Sequence, residues 1–245
     1  LPVLETMGPL GLVAEAAPPA EHALSRRLAA EAIGSFFLFA GVLGSGVMAQ
    51  NLMDGNVAVA LLANTIATGA ILYVLIAMLG PISDAHFNPA VSIAFALRGE
   101  TRVRIALLYI LVQLLAGALG ALAVHLMFDL PILQLSTKAR TGVGQWTGEA
   151  IATFGLVLTI LVTLKRLPGS VPASVALYIT AAYWFTSSTS FANPAITVVR
   201  SLSDTFAGIA PVDVPGFIAA QLVGMMLAVG VGGWLSADPP TREAG

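Results

Sequence analysis

Six apolar stretches of membrane-spanning length limit the folds open to this chain more than any other feature. They run through about 28–49, 57–80, 105–128, 148–164, 171–189 and 212–235. Each reaches or approaches the roughly 20 residues that a helix needs to cross about 30 Å of hydrocarbon. Charged residues make up 10% of the chain, whereas a soluble domain usually has about 25%. The sequence therefore predicts an all-α integral membrane protein with six transmembrane helices in a lipid bilayer.

Charge and cysteine content exclude several classes of function. The formal net charge is −2 and there is no broad basic surface, so nucleic acid is not an expected partner. The chain contains no cysteine, which excludes disulfides, thiolate metal sites and cysteine nucleophiles. No Ser/His/Asp constellation, phosphate-binding loop or metal-ligand spacing occurs in the sequence. We therefore predict no enzyme, no cofactor and no metal site.

Lysine and arginine positions predict the orientation in the membrane. If both ends lie on one side of six spans, the other side receives three basic residues, Lys138, Arg140 and Arg200. The side with the termini receives eight, namely Arg26, Arg27, Arg98, Arg102, Arg104, Lys165, Arg166 and Arg242. The positive-inside rule then places both termini in the cytoplasm. The Ala-rich composition suits a bacterial inner membrane.

The ends of the chain differ from its middle in composition. Residues 1–25 are rich in Pro, Ala and Gly and predict a flexible cytoplasmic tail. Met7 offers an alternative start, which would make 1–6 a cloning remnant. A single membrane domain is expected over 26–236, and a short C-terminal tail over 237–245.

The two halves of the predicted domain repeat each other. EAIGSFFLFAGV (31–42) in the first span resembles EAIATFGLVLTI (149–160) in the fourth, and an Asn-Pro-Ala triplet follows each copy. We place repeat 1 at about 27–128 and repeat 2 at about 145–236. Three spans per repeat force opposite orientations, which is typical of an inverted repeat with its site near the midplane.

The two triplets are helix-start signals, Asn88-Pro89-Ala90 and Asn193-Pro194-Ala195. Asn is a favoured N-cap and Pro a favoured first residue, and about half a span of apolar sequence follows each triplet. Two half-helices entering from opposite faces would point the positive ends of their dipoles at one spot. Free asparagine amides directed into the lumen would add hydrogen-bond donors. This arrangement favours passage of uncharged polar solutes and opposes cations.

The paired triplets, the SDAHFNPAVSIA context and the glutamates of the first and fourth spans resemble the aquaporin, or major intrinsic protein, superfamily. The resemblance covers about 27–236. It implies an aquaporin-like fold of six transmembrane helices plus two re-entrant half-helices. It also implies one pore per subunit, a homotetramer, and a selectivity filter one turn outside the second triplet.

At the filter the sequence departs from the family. The resemblance places the filter arginine directly after the second triplet, where this chain has Ile196. By family spacing the other filter positions are Thr68, Ala181 and Ser190. These four side chains are small and uncharged, which predicts a wide filter. The stretch NPAITVVRSLSDTFAGIAP also resembles bacterial aquaporins associated with arsenic resistance, which suggests neutral metalloid hydroxides or methylated arsenicals as solutes.

The remaining polar residues leave alternatives open. Glu31 and Glu149 lie inside spans; they either accept hydrogen bonds from the re-entrant loop of their own half, which we favour, or form a proton relay. His86 either lines a vestibule or packs within its loop. Arg200 either acts in the external vestibule, where it attracts anionic solutes or replaces part of the missing filter charge, or it pairs with Asp204 four residues later. We favour the pair. Tyr183 is interpreted as a packing residue.

These residues support a passive, wide-filter channel for small neutral solutes, such as glycerol-like polyols, water and neutral metalloids. A water-selective aquaporin is the first alternative. A proton-coupled transporter that uses Glu31 and Glu149 is the second, and a poorly conducting structural protein is the third.

Overall fold

The computed structural model describes residues 22–237. Most of both predicted tails lies outside the described residues. Along the described chain the elements are α1 (Leu24–Leu52), α2 (Val57–Ser83), α3 (Pro89–Leu97), α4 (Val103–Met127), α5 (Val143–Arg166), a 3₁₀ turn (Pro168–Ser170), α6 (Val171–Phe185), α7 (Pro194–Arg200), a second 3₁₀ turn (Pro211–Asp213) and α8 (Val214–Leu235).

Five of these helical segments are long and apolar enough to cross a membrane: α1, α2, α4, α5 and the segment that ends in α8. The fifth predicted span, 171–189, extends too far toward the second triplet. Helix α6 has 15 residues and ends at Phe185, because residues 186–193 leave the helix to form the approach to α7. At 1.5 Å per residue α6 is about 22 Å long.

The inverted repeat predicted from sequence corresponds to two similar helix groups. In the first half, α1 packs on α2 and α4. In the second half, α5 packs on α6 and α8. The two halves also contact each other where α2 packs against α6. Glycines permit close crossings at matching places: a Cβ built on Gly120 of α4 would lie 2.5 Å from the carbonyl oxygen of Phe36, and one on Gly224 of α8 would lie 2.1 Å from that of Ala150. Glycine therefore lets the backbones meet, as is common between membrane helices.

The outward face of α4 is apolar and repeats with the helical period. On α4 a stripe of leucines is 53–62% exposed, formed by Leu107, Leu111, Leu115 and Leu119. Residues four apart share one helix face, so this face is apolar and outward. The opposite face carries Tyr109, Gln113 and Gly117, which are buried.

Helices α3 and α7 are too short to cross a bilayer, with nine and seven residues. Each begins at the proline of a triplet, after an asparagine whose side chain caps the helix. Asn88 Oδ1 accepts from the backbone N–H of Ala90 at 2.9 Å, and Asn193 Oδ1 accepts from that of Ala195 at 3.0 Å. The two half-helices contact each other, so both capped N-termini meet inside the helix bundle.

Candidate conduction pathway

A cavity of about 480 Å³ lies between the two halves. Every fourth residue of α2 lines it, at Thr68, Leu72, Ile76 and Gly80, and α6 lines it in the same way at Val175, Ile179 and Tyr183. We call its two ends the Arg200 mouth, lined by Thr68, Ser190 and Arg200, and the Asp84 mouth, lined by Gly80, Asp84 and Pro168. Asn88 and Asn193 line the cavity between the mouths.

The two triplet asparagines brace the re-entrant loops against each other. Asn88 Nδ2 donates to the carbonyl of Ala192 at 2.7 Å, and Asn193 Nδ2 donates to the carbonyl of Phe87 at 2.8 Å. The prediction of free amides was therefore wrong in part. Each amide has two N–H groups, and one of them holds the opposite loop, which leaves one for a solute.

The loops that approach the triplets have the same backbone conformation in both halves. Positive φ angles occur four, three and one residues before each asparagine: Asp84, Ala85 and Phe87 in the first loop, and Thr189, Ser190 and Ala192 in the second. None of these residues is glycine, so the left-handed conformation costs energy at each one. Hydrogen bonds to the buried glutamates hold both loops in this conformation.

Glu31 is fully buried beside the first loop and is not a lining residue. Its carboxylate accepts from the backbone N–H groups of His86 and Phe87, both at 2.9 Å, and from Ser83 Oγ at 2.9 Å. Gln113 Nε2 donates a further bond at 2.8 Å. Four donors satisfy this buried carboxylate, as a buried charge requires.

Glu149 has the same relation to the second loop. It accepts from the backbone N–H groups of Phe191 at 2.8 Å and Ala192 at 2.9 Å. Gln221 Nε2 donates to Glu149 and also to Thr197 Oγ1, 2.9 Å away. In the first half Gln113 Nε2 likewise donates to Ser92 Oγ, 3.2 Å away. Each half therefore has a glutamate, a glutamine and a hydroxyl of its half-helix in one network.

The glutamines were missed in the sequence, although a signal for them exists. Gln113 stands alone in the apolar run YILVQLLAG of the third span, and Gln221 stands alone in FIAAQLVGM of the sixth. A lone polar residue at the same place in the last span of each repeat is itself a repeat signal. Both side chains are fully buried.

Three of the four predicted filter residues line the cavity: Thr68, Ser190 and Ile196. Ala181 does not; it is exposed on the outer face of α6, and its assignment was wrong. Ile179 and Tyr183 line the cavity instead. Ala181 is two residues from each, which is about 200° around a helix. Counting back from Asn193 fails because residues 186–193 are not helical.

Tyr183 is a lining residue as well as a packing residue, which corrects its predicted role. Its hydroxyl lies 3.2 Å from Thr68 Oγ1, so a hydrogen bond connects α6 and α2 at this level. Ser190 Oγ is buried and has no hydrogen-bond partner among the described residues. The Arg200 mouth therefore combines hydroxyl groups with the apolar side chains of Ile179 and Ile196.

Arg200 is buried and lines the cavity. The predicted pair with Asp204 does not form: Arg200 Nε donates to the carbonyl of Ala207, and its guanidinium carbon lies 3.3 Å from the centre of the Phe191 ring. Asp204 Oδ1 instead accepts from the backbone N–H and the hydroxyl of Thr137, at 2.8 and 3.0 Å. Arg200 thus faces the pathway and not its helical neighbour.

The loop between α4 and α5 brings two more cations to this end. Lys138 Nζ donates to the carbonyl of Phe206 at 2.6 Å, and Arg140 Nε donates to that of Gly208 at 2.8 Å. Burial and then the nearby charges of Arg140 and Arg200 lower the pKa of Lys138 to about 8. Burial lowers the pKa of Arg140 to about 10, so Arg140 stays charged at neutral pH.

The Asp84 mouth contains the other predicted vestibule residue, His86. It is buried and lines the cavity, with Nδ1 3.0 Å from Ser92 Oγ. Its Nε2 has no hydrogen-bond partner among the described residues. An Arg27 Nη2 to Asp84 Oδ2 distance of 3.6 Å links the start of α1 to this mouth. Over 22–237, no group of three or more His, Cys, Asp or Glu side chains is placed to hold a metal ion.

The sequence of this chain matches one protein family. The family model described as Major intrinsic protein matches residues 20–189. Over 225 residues the chain is 53% identical to the aquaglyceroporin AqpS of Rhizobium meliloti (strain 1021), covering 91% of this chain and 96% of that relative. It is 39% identical over 145 residues to the aquaporin NIP1-2 of Arabidopsis thaliana, covering 55% of this chain and about half of that relative, 48%.

Among solved structures, the fold is similar to the X-ray structure of the aquaglyceroporin from Plasmodium falciparum, with a TM-score of 0.64. Sequence identity to that protein is 19%, and the match covers 86% of this chain and 94% of that one. This likeness concerns the fold alone.

Proposed function

Because this chain belongs to the major intrinsic protein family of multi-pass membrane channels, which are not enzymes, we propose that it is a wide-aperture channel for small uncharged solutes. Its passive conduction of water and small solutes agrees with the aquaglyceroporin relative. We propose glycerol-like polyols and neutral metalloid hydroxides, including methylated arsenicals, as solutes beyond water. The observation that carries the wide aperture is that an uncharged residue, Ile196, lines the cavity directly after the second triplet.

The lining chemistry supports neutral and partly apolar solutes. The cavity is lined by hydroxyls from Thr68, Tyr183 and Ser190 together with the aliphatic side chains of Ile179 and Ile196. A polyol or a metalloid hydroxide exchanges hydrogen bonds with the hydroxyls while its carbon or central atom contacts the apolar wall. The unpartnered Oγ of Ser190 is available to such a solute, and the remaining N–H of each triplet asparagine orients it further along.

A proton-coupled mechanism has little support from the glutamates. Glu31 and Glu149 are fully buried, lie outside the cavity lining and hold the re-entrant loops through several hydrogen bonds each. Protonation cycles on these carboxylates would release the loops that carry Asn88 and Asn193. We therefore assign them a structural role.

Orientation and assembly complete the proposal. The distribution of basic residues favours a cytoplasmic Asp84 mouth, with both termini on that side, and a bacterial inner membrane. The family resemblance favours a homotetramer with one pore in each subunit. Native mass spectrometry in detergent would test the assembly, and a monomer that conducts solute would contradict it.

Stopped-flow light scattering on proteoliposomes tests the function. Water, glycerol and arsenite are compared in one preparation, with and without a proton gradient. Fast entry of all three, unchanged when an ionophore collapses the gradient, is the expected result. Fast water without glycerol or arsenite entry would support the water-selective alternative, and flux that collapses with the gradient would support the transporter.

A further inference from the structure

Three cationic side chains from separate segments converge on one short loop at the Arg200 mouth. The consecutive carbonyls of residues 206–208 accept, in that order, from Lys138 Nζ at 2.6 Å, from Arg200 Nε, and from Arg140 Nε at 2.8 Å. We call Lys138, Arg140 and Arg200 the cation cluster. Two of its members come from the loop between α4 and α5, and the third ends α7.

Two members of the cluster pack against Phe191, a residue that lines the cavity. The guanidinium carbons of Arg200 and Arg140 lie 3.3 and 4.9 Å from the centre of the Phe191 ring. Arg140 Nη1 also donates to the carbonyl of Ser188 at 3.3 Å, next to the second re-entrant loop. Phe191 and Arg200 both line the cavity, so the positive charge is placed at the entrance itself.

The side chains of the cluster donate their hydrogen bonds to carbonyl groups and not to carboxylates. Carbonyl groups orient an arginine or lysine, but they carry no net charge to offset it. The nearby carboxylates keep their own charge and offset part of this positive charge, but each accepts its hydrogen bonds from neutral groups: Asp204 from Thr137, Asp213 from the backbone N–H of Arg140 at 2.7 Å, and Glu149 from the second loop. None of the three carboxylates lines the cavity.

We propose that the cation cluster is the charge filter of this channel and that it is separate from the size filter at Ile196. The inference rests on the proposed function and deepens it. A charge at position 196 would occupy the aperture, whereas Arg140 and Arg200 are held against the Phe191 ring at the entrance. The mouth therefore repels small cations and concentrates small anions, while neutral solutes of larger size pass.

A thiol introduced at the aperture measures the potential there without altering the cluster. The chain has no cysteine, so Ser190→Cys carries one thiol, at a side chain with no hydrogen bond to lose. The probes are two methanethiosulfonates of similar size, one with a sulfonate and one with a trimethylammonium group. Their rates are each divided by the rate with free 2-mercaptoethanol, which removes the difference in intrinsic reactivity.

At low ionic strength the normalised rate of the anionic reagent should exceed that of the cationic reagent by about 10-fold or more, the order of magnitude expected for a focused surface potential. We call this quotient the anion-to-cation rate ratio. At about 1 M salt the ratio should approach one, because the Debye length falls to about 3 Å. A ratio near one at low salt, or one that salt does not change, would overturn the proposal.

Removal of the charge of Arg140 tests whether the loop between α4 and α5 contributes to the potential at the aperture. Arg140→Gln in the Ser190→Cys background should lower the ratio at least about 3-fold, while Arg102→Gln, an exposed arginine before α4, should leave it unchanged. Arg140→Lys, which keeps the charge, should preserve it and so separates charge from folding. An unchanged ratio in Arg140→Gln would overturn the assignment of Arg140.

Glycerol uptake by the unaltered protein separates this inference from the function on which it rests. No uptake would contradict the proposed function. Normal uptake with equal reagent rates would contradict the charge filter alone.

Discussion

Replacement of Ile196 by arginine is the sharpest perturbation of the aperture. Ile196 is buried, lines the cavity and donates its backbone N–H to Asn193 Oδ1 at 3.2 Å, a bond that any residue keeps. Position 196 lies one turn before Arg200, about 6 Å away along the axis of α7. Two like charges at that distance repel by about 0.7 kcal/mol in water and about 3 kcal/mol at an effective dielectric constant near 20.

The flux of Ile196→Arg should fall selectively. A narrower aperture removes at least one more hydrogen bond from glycerol than from water, and such a loss costs about 1–3 kcal/mol. Glycerol permeability should therefore drop about 10-fold or more, with water permeability changed less than about 3-fold. Both are measured by stopped-flow light scattering on one proteoliposome preparation.

Ile196→Leu is the matched control, because a volume-conserving apolar exchange costs less than about 1.5 kcal/mol. It should leave both permeabilities within about 2-fold. Equal loss of water and glycerol in Ile196→Arg would indicate a folding defect and count against a filter role. Unchanged glycerol flux in a well-folded Ile196→Arg protein would refute the aperture assignment directly.

Three further predictions concern stability. Gly224→Ala should lower the melting temperature in detergent, because its Cβ would lie 2.1 Å from a backbone oxygen. Gly230→Ala on the same helix meets nothing within 4 Å and should leave the melting temperature unchanged. Equal effects of the two substitutions would contradict the close packing of α8 on α5 at Gly224. Gln221→Leu should destabilise by about 1.5–3 kcal/mol, because Glu149 loses a donor; a neutral result in chemical denaturation would show that the loop amides suffice. In the folded protein the pKa of Lys138 is about 8, below its usual 10.5, so protonation of Lys138 opposes folding. The stability should therefore rise as the pH rises from about 8 toward 10.5. Melting temperatures of Lys138→Gln should lack this rise with pH, and an unchanged rise would refute the assignment to Lys138.

Much of the fold follows from local signals in the sequence. Apolar length predicts the long helices, and the repeated glutamates with the Asn-Pro-Ala triplets predict the inverted halves and the two half-helices. These features depend on composition and on one or two residues at a time, such as an asparagine cap before a proline. They are readable without knowledge of any long-range contact.

The errors arise where side-chain direction depends on distant parts of the chain. Ala181 was assigned by counting from Asn193 across a segment that is not helical, so the wrong face of α6 was chosen. Arg200 was paired with Asp204 by helical spacing, although α7 ends at Arg200 and the pair is not on one helix. Its partners, Phe191 and Ala207, lie on the approach and exit loops, whose folding no periodicity describes.

The central claim is that solute passes between the half-helices, and chemical modification of a thiol in Ser190→Cys tests it most directly. Glycerol uptake is measured by stopped-flow in Ser190→Cys, in Ala181→Cys on the outer face of α6, and in the cysteine-free protein, each before and after a methanethiosulfonate. The pathway described above predicts loss of glycerol flux in Ser190→Cys alone, with slower modification when glycerol is present. Undiminished flux through a fully modified Ser190→Cys protein would contradict it.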